Sequence, residues 1–274
     1  MTTTVACIRA KELRDSLFCA VGALGQNAQA CLRNCRVLIK PNLNSPDPYP
    51  ASTDPAFLSA LIEVLRSAGA ADIVVGDSCG CAWRPAEDVH ARLGVPELAA
   101  RLGVTYVNFD AGPWRTIKVS GRRFNEVAIA EVAFNVDRIV YAACMKTHRC
   151  ARFSLSLKHA AGFLPPEMRH GLHEGDLEAN IADINLAVKP DLIFLDARKC
   201  FVSGGPSRGR VRRPNVIMAS TDRIALDVEA LRILSSFFAF NRLLKNPWDH
   251  IQIRHAVALG LGAARESDYE VVRG

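Results

Sequence analysis

The sequence predicts an α/β fold, a mostly parallel or mixed sheet with helices on both faces. Three observations lead there. Strand-like apolar runs alternate with helix-like segments along the whole chain. Several of the runs, RVLIK, DIVVG and DLIFL among them, are short and wholly apolar at their centre, the pattern of buried strands. The stretch from 36 to 76 reads strand, helix, strand, as a right-handed crossover unit does. With 274 residues, 49% of them hydrophobic, and neither repeat nor low-complexity linker, residues 1–274 are expected to form a single α/β domain.

The elements follow in order. Thr3 to Ile8 reads as a strand and Lys11 to Leu24 as an amphipathic helix. Arg36 to Lys40 is a strand stopped by Pro41. The clearest helix spans Asp54 to Ala68, with a cap at Thr53 or Asp54, Pro55 behind it and Gly69 at its end. Asp72 to Gly76 is the next strand, followed by helices at 86–93 and 96–102 and a strand at Thr105 to Phe109. Residues 114–130 form a hairpin turning at Ser120-Gly121, and Arg138 to Cys144 is a strongly apolar strand. The chain then changes character. From about 145 to 176 it is rich in His, Arg, Gly and Pro and weakly periodic, and such long irregular segments are usually functional. Beyond it come a helix at 178–188, a strand at 191–195, the loop GGPSRGRVRR, a strand at 215–219, helices at 222–236 and 248–259, and a strand at 269–272. The apolar stretch LRILSSFFAF at 231–240 serves either core packing or a homo-oligomeric contact.

Composition narrows the function classes. No window approaches the ~18 apolar residues of a spanning helix, and the first residues lack a secretory h-region, so a cytoplasmic protein without membrane contact is expected. Nine cysteines spread along the chain point to reduced thiols rather than a disulfide framework. A net charge of +6 is too mild for a dedicated nucleic-acid binder. The excess is local. Between Lys146 and Arg213 stand twelve Lys and Arg against seven Asp and Glu, and four of seven histidines fall between 148 and 173. A pocket for a small anion, carboxylate or phosphate, accounts for this.

In open parallel sheets ligands sit beyond the carboxyl ends of strands. The predicted strand ends carry Lys40-Pro41-Asn42, Asp77-Ser78-Cys79, Lys146-Thr147-His148, Asp196 and Ser220-Thr221-Asp222. The irregular segment adds Ser154, Lys158, Arg169 and His173, with Ser154 and Lys158 spaced to share one helix face. On this reading Lys40, Lys146, Lys158 and Arg169 hold the anion, aided by Asn42 and Ser154. His148 and His173 carry protons, with Lys158 in the same catalytic group, and Asp77, Asp196 and Asp222 orient them.

Cys79-Gly80-Cys81 offers two soft metal ligands, and His170 and His173 with His148 offer another set. No motif implies a specific cofactor. The P-loop, the dinucleotide G-x-G-x-x-G, the G-x-S-x-G elbow and the iron–sulfur cysteine run are all missing. Gly204-Gly205-Pro206 with Arg208 either wraps an anion with backbone amides or forms a mobile basic loop.

Taken in order, KPNLN (40–44), TDP (53–55), VVGDS (74–78), KTH (146–148), SLSLKHAAG (154–162), Arg169 with His173, IADIN (181–185), LD (195–196) and TDRIALD (221–227) resemble the DUF362 family. Where that family commonly reads Lys-Asn, this chain has Lys158-His159. Many of its members carry a ferredoxin-like cysteine module that this chain lacks. A more distant similarity, to the amino-terminal domain of lactate-racemase-like proteins, implies acid–base chemistry on hydroxy acids. The leading expectation is an isomerase- or lyase-type enzyme acting on a small organic anion. The alternatives are a metal or iron–sulfur redox protein and a small-anion binding module without turnover.

Overall fold

The computed structural model describes residues 2–80 and 84–274. The chain begins with β1 (Thr3–Arg9), α1 (Leu13–Ala23), the short α2 (Gln26–Ala30), β2 (Arg36–Lys40), α3 (Pro55–Ser67) and β3 (Asp72–Asp77). It continues with α4 (Ala86–Arg92), α5 (Val95–Leu102), β4 (Thr105–Asn108), and the hairpin β5 (Trp114–Lys118) and β6 (Glu126–Ala130). Then come β7 (Arg138–His148), β8 (Arg152–Ser154), α6 (Ser156–His159), α7 (Pro166–Gly171), α8 (Leu177–Ile184) and β9 (Leu192–Gly204). The chain closes with β10 (Gly209–Arg212), β11 (Val216–Ser220), α9 (Arg223–Ser236), α10 (Ile251–Ala258) and β12 (Tyr269–Arg273).

Ten strands form one mixed sheet in the order β12-β1-β11-β9-β7-β2-β3-β4, with β10 paired to β9 and β8 to β7. The strands from β9 through β7, β2 and β3 to β4 run parallel, whereas β11 is antiparallel to both of its neighbours. Side-chain alternation along the strands divides the core in two. Val37, Ile39, Val75, Val140 and Phe194 pack under α1, α3 and α5. Leu38, Tyr141, Ala143, Ile193 and Met218 face the layer of α6, α8, α9 and α10. Helices on both faces account for the wholly apolar strand sequences.

The clearest predicted helix forms as expected. The Asp54 side chain accepts from Ala56 N at 3.0 Å, Pro55 takes the first turn, and the helix buries Phe57, Leu58, Leu61, Ile62 and Leu65. Several local expectations change. The segment 145–176 is not structureless: β7 continues to His148, and β8, α6 and α7 follow. The loop after the 191–195 run is a hairpin, because β9 extends to Gly204 and pairs with β10. Of the 231–240 stretch, Leu231 and Leu234 enter the core while Phe238 and Phe240 stand fully exposed. Among the described residues no helix is long and apolar enough to cross a membrane.

Candidate active site

A cleft of about 1110 Å³ opens beyond the ends of β2, β3, β4 and β7. Seven of the expected residues line it: Asp77, Lys146, His148, Ser154, Lys158, Arg169 and His173. An eighth, Lys40, sits directly behind Asp77, its Nζ 2.7 Å from Asp77 Oδ1 in a nearly water-free pair. Asp77 Oδ2 accepts the Leu43 amide at 2.7 Å, and Lys40 Nζ also donates to Pro41 O. Burial presses the Lys40 ammonium below its ordinary pKa, and Asp77 pulls it back.

The other lysines differ in their commitments. Lys146 ends its reach on the Ala51 carbonyl, and burial lowers its pKa. Lys158 faces the cleft with no hydrogen bond or ion pair to any described residue. Burial and the neighbouring Lys146 bring its pKa down to about 8, so a substantial share of neutral amine is present near physiological pH.

The helix carrying Lys158 is pinned from a distance. Asp227 on α9 accepts from Ser156 N (2.8 Å), Ser156 Oγ (2.7 Å) and Leu157 N (3.0 Å), satisfying the start of α6. Asn185 Nδ2 donates to Leu157 O, and Arg223 in turn holds Asn185. This outside cap sets where the helix begins. Ser154 is therefore the last residue of β8, paired with Lys146, and does not share a helix face with Lys158 as its spacing implied.

His148 closes β7, and its Nδ1 accepts from the Cys150 and Ala151 amides. Burial, then Lys158 and Lys146, push its pKa down to about 2. His173 is exposed at the rim, its ring held below the usual imidazole value by partial burial, Lys158 and His170. Arg169 is engaged: it donates to Asp110 Oδ1 (2.8 Å), Cys79 O (2.8 Å) and Leu164 O (2.6 Å), tying together the loops at the rim.

Three expected residues stand elsewhere. Asp222 lies at the end of β11, whose reversed direction carries it to the opposite edge of the sheet, where it caps α9 through Ile224 N and Ala225 N. Asp196 is interior to β9 and accepts from Tyr49 Oη (2.7 Å) and Arg198. Asn42 does not reach the cleft; it donates to Ala51 O, the carbonyl that also receives Lys146.

Asp110, Arg149 and Cys150, which the sequence did not single out, line the cleft, as does the Gly204–Arg208 hairpin tip, for which anion wrapping was one of two expectations. Asp110 follows β4 and was open to the same strand-end rule. The tip is fixed on the end of β7 by Arg149 N donating to Gly205 O. A Cβ on Gly205 would lie 1.9 Å from Thr147 O, so only glycine fits there.

Cys79 is buried, with its thiol toward Asn44 O, and Cys81 lies outside the described residues. Among the described residues no group of three or more His, Cys, Asp or Glu side chains converges as a metal site would. His148, His170 and His173 all line the cleft without forming one.

Comparison with known proteins gives the following. No curated protein matches the chain. Among solved structures, the lactate racemase apoprotein from Thermoanaerobacterium thermosaccharolyticum is similar at 12% identity and a TM-score of 0.49, over 80% of this chain and 54% of that one. A protein from Thermotoga maritima is similar at 13% identity and a TM-score of 0.48, over 82% of this chain and 57% of that one. The chain thus spans little more than half the length of either, and neither likeness bears on activity. The family model for a domain of unknown function, DUF362, matches residues 37–232, which takes in every cleft residue named above, and the chain belongs to that family.

Proposed function

We propose that the protein is an enzyme performing acid–base chemistry, of isomerase or lyase type, on a small anionic carboxylate or phosphate metabolite. One observation carries this reading: the unpartnered amine of Lys158 faces a cleft shared with Lys146, His148 and His173. Anion binding follows from the balance of charge. Among the described residues, six Lys and Arg side chains line the cleft (Arg84, Lys146, Arg149, Lys158, Arg169 and Arg208) against four carboxylates, of which Asp77 is spent on Lys40 and Asp110 on Arg169, leaving Asp47 and Glu87. Proton transfer near neutral pH needs a group whose pKa lies near the working range, and Lys158 at about 8 meets that requirement. The same reading takes the protein to be cytoplasmic, where its cysteines stay reduced.

The test is a panel of hydroxy-, oxo- and dicarboxylates and phosphate esters, scored by thermal stabilisation and by deuterium uptake from heavy water into recovered ligand. A ligand that both stabilises the protein and exchanges a carbon-bound proton is expected. Exchange should vanish in Lys158→Met while the fold persists. Stabilisation without exchange by every ligand would leave a binding module, and no stabilisation at all would remove the anion pocket.

A further inference from the structure

His148 is the last residue of β7, and the chain turns back at once through 149–151 into β8. That turn brings two backbone donors onto one ring nitrogen. The amides of Cys150 and Ala151 point at Nδ1, at 3.2 and 3.0 Å. A ring nitrogen that accepts has its lone pair in use and carries no hydrogen, so the proton of a neutral imidazole resides on Nε2. Protonating Nδ1 would set a third N–H against the two already there. The charged and titratable groups around the ring press the same way, since Lys158, Lys146, His173 and Arg149 all disfavour a positive charge on it. Nε2 makes no hydrogen bond to any described residue, and His148 lines the cleft.

We infer that His148 is a fixed, neutral Nε2–H donor for a substrate oxygen that gains negative charge, and that Lys158 rather than His148 takes the proton. This rests on the acid–base reading above and narrows its substrate class to a carboxylate bearing a C–H next to a carbonyl carbon. In the step, the neutral Lys158 amine removes the proton from carbon and becomes an ammonium. The C–H electron pair becomes the new carbon–carbon double bond, and the carbonyl π pair moves onto oxygen. That oxyanion is held by the Nε2–H of His148, which keeps its proton throughout. Lys158 then returns the proton to carbon, restoring the amine. A phosphate ester without such a carbon would bind and stay unchanged.

The experiment has two parts on the full chain. The first is nitrogen NMR of protein labelled in its histidines, from about pH 6 to about pH 9, with His148→Gln used to assign the signal. The expected signal shows a protonated Nε2 and a bare Nδ1, unchanged over the range. A hydrogen on Nδ1, or titration to imidazolium within it, overturns the inference. The second is calorimetric binding of oxalate, a planar dianion resembling the enolate form of a carboxylate. His148→Gln, whose amide still donates, should bind within about threefold of wild type, and His148→Ala at least about tenfold more weakly. Equal binding by all three proteins overturns the inference and leaves the anion cleft standing. Failure of wild type to bind either oxalate or inorganic phosphate overturns both. Where a variant does not fold, the wild-type spectrum decides alone, with the tautomer assigned from its coupling pattern.

Discussion

Lys40 Nζ and Asp77 Oδ1 meet at 2.7 Å where the parallel strands β2 and β3 end side by side, with only 2% and 3% of the two side chains exposed. A buried pair of this kind is held by mutual need, because each charge is costly to bury without the other. Lys40→Met or Asp77→Leu alone should therefore cost about 3–5 kcal/mol of stability. The double variant should cost much less than their sum. Urea unfolding of all four proteins measures the coupling directly, and strictly additive losses would show that the pair is energetically inert.

Gly162 touches this pair. A Cβ there would lie 2.4 Å from both Asp77 Oδ1 and Lys40 Nζ, and Ser78 Oγ donates to the Gly162 carbonyl at 2.8 Å. Gly162→Ala should lower stability by about 1–3 kcal/mol through overpacking of a filled space. Gly171, at the end of α7, has nothing within 4 Å of its Cβ position. Gly171→Ala should be neutral or slightly stabilising, and comparing the two melting temperatures isolates the steric cause.

Acid should weaken the fold early. Burial holds His90 and His159 below the ordinary imidazole pKa, His148 at about 2 and His250 at about 4. The unfolded chain takes up protons at these groups near pH 6.5 while the folded protein does not. Their stability is thus complete above that pH and is lost as pH falls toward the folded values, by about 1.4 kcal/mol per pH unit for each histidine. Asp227 works the other way. Burial raises its pKa from 3.8 to about 7, so its contribution is full below 3.8 and is lost as pH rises through 7. With His173 also held low, five histidines outnumber the two carboxyls that burial raises, Asp227 and Glu178, and leave a net fall in stability between about pH 6.5 and about pH 5. Urea midpoints across that range should show the fall, and Asp227→Asn should steepen it by removing an opposing group.

What the sequence disclosed and what it hid have physical causes. The strands β2, β3, β7 and β11 were readable because apolar runs of that length must be buried, and α3 because Asp54 and Pro55 mark its start. The direction of β11 was not readable, since Val216–Ser220 is equally apolar whichever way it runs, and this put Asp222 on the wrong edge. The end of β7 was hidden because Lys146, Thr147 and His148 are polar residues kept in a strand by pairing with β8. The four-residue α6 has too few residues for a periodic signal, and its cap, Asp227, is remote in sequence. The strand-end rule still brought Asp77, Lys146 and His148 to one cleft, because β3 and β7 run the same way.

Arg169 tests how the rim of the cleft is held. Its guanidinium meets Asp110, the Cys79 carbonyl and the Leu164 carbonyl at once, while Asp110 Oδ2 accepts the Cys79 amide at 2.9 Å. One planar fork thus joins the ends of β3 and β4 to the segment between α6 and α7. A lysine keeps the charge and cannot span three acceptors in different directions. Arg169→Lys should therefore cost about 1–3 kcal/mol, with the loss concentrated at the rim. Hydrogen exchange should quicken at Cys79 and around Leu164, while the amides of β7 and β9 keep their protection. Unchanged exchange at both rim segments would mean that Arg169 is free to bind an anion directly, as its place in the sequence implied.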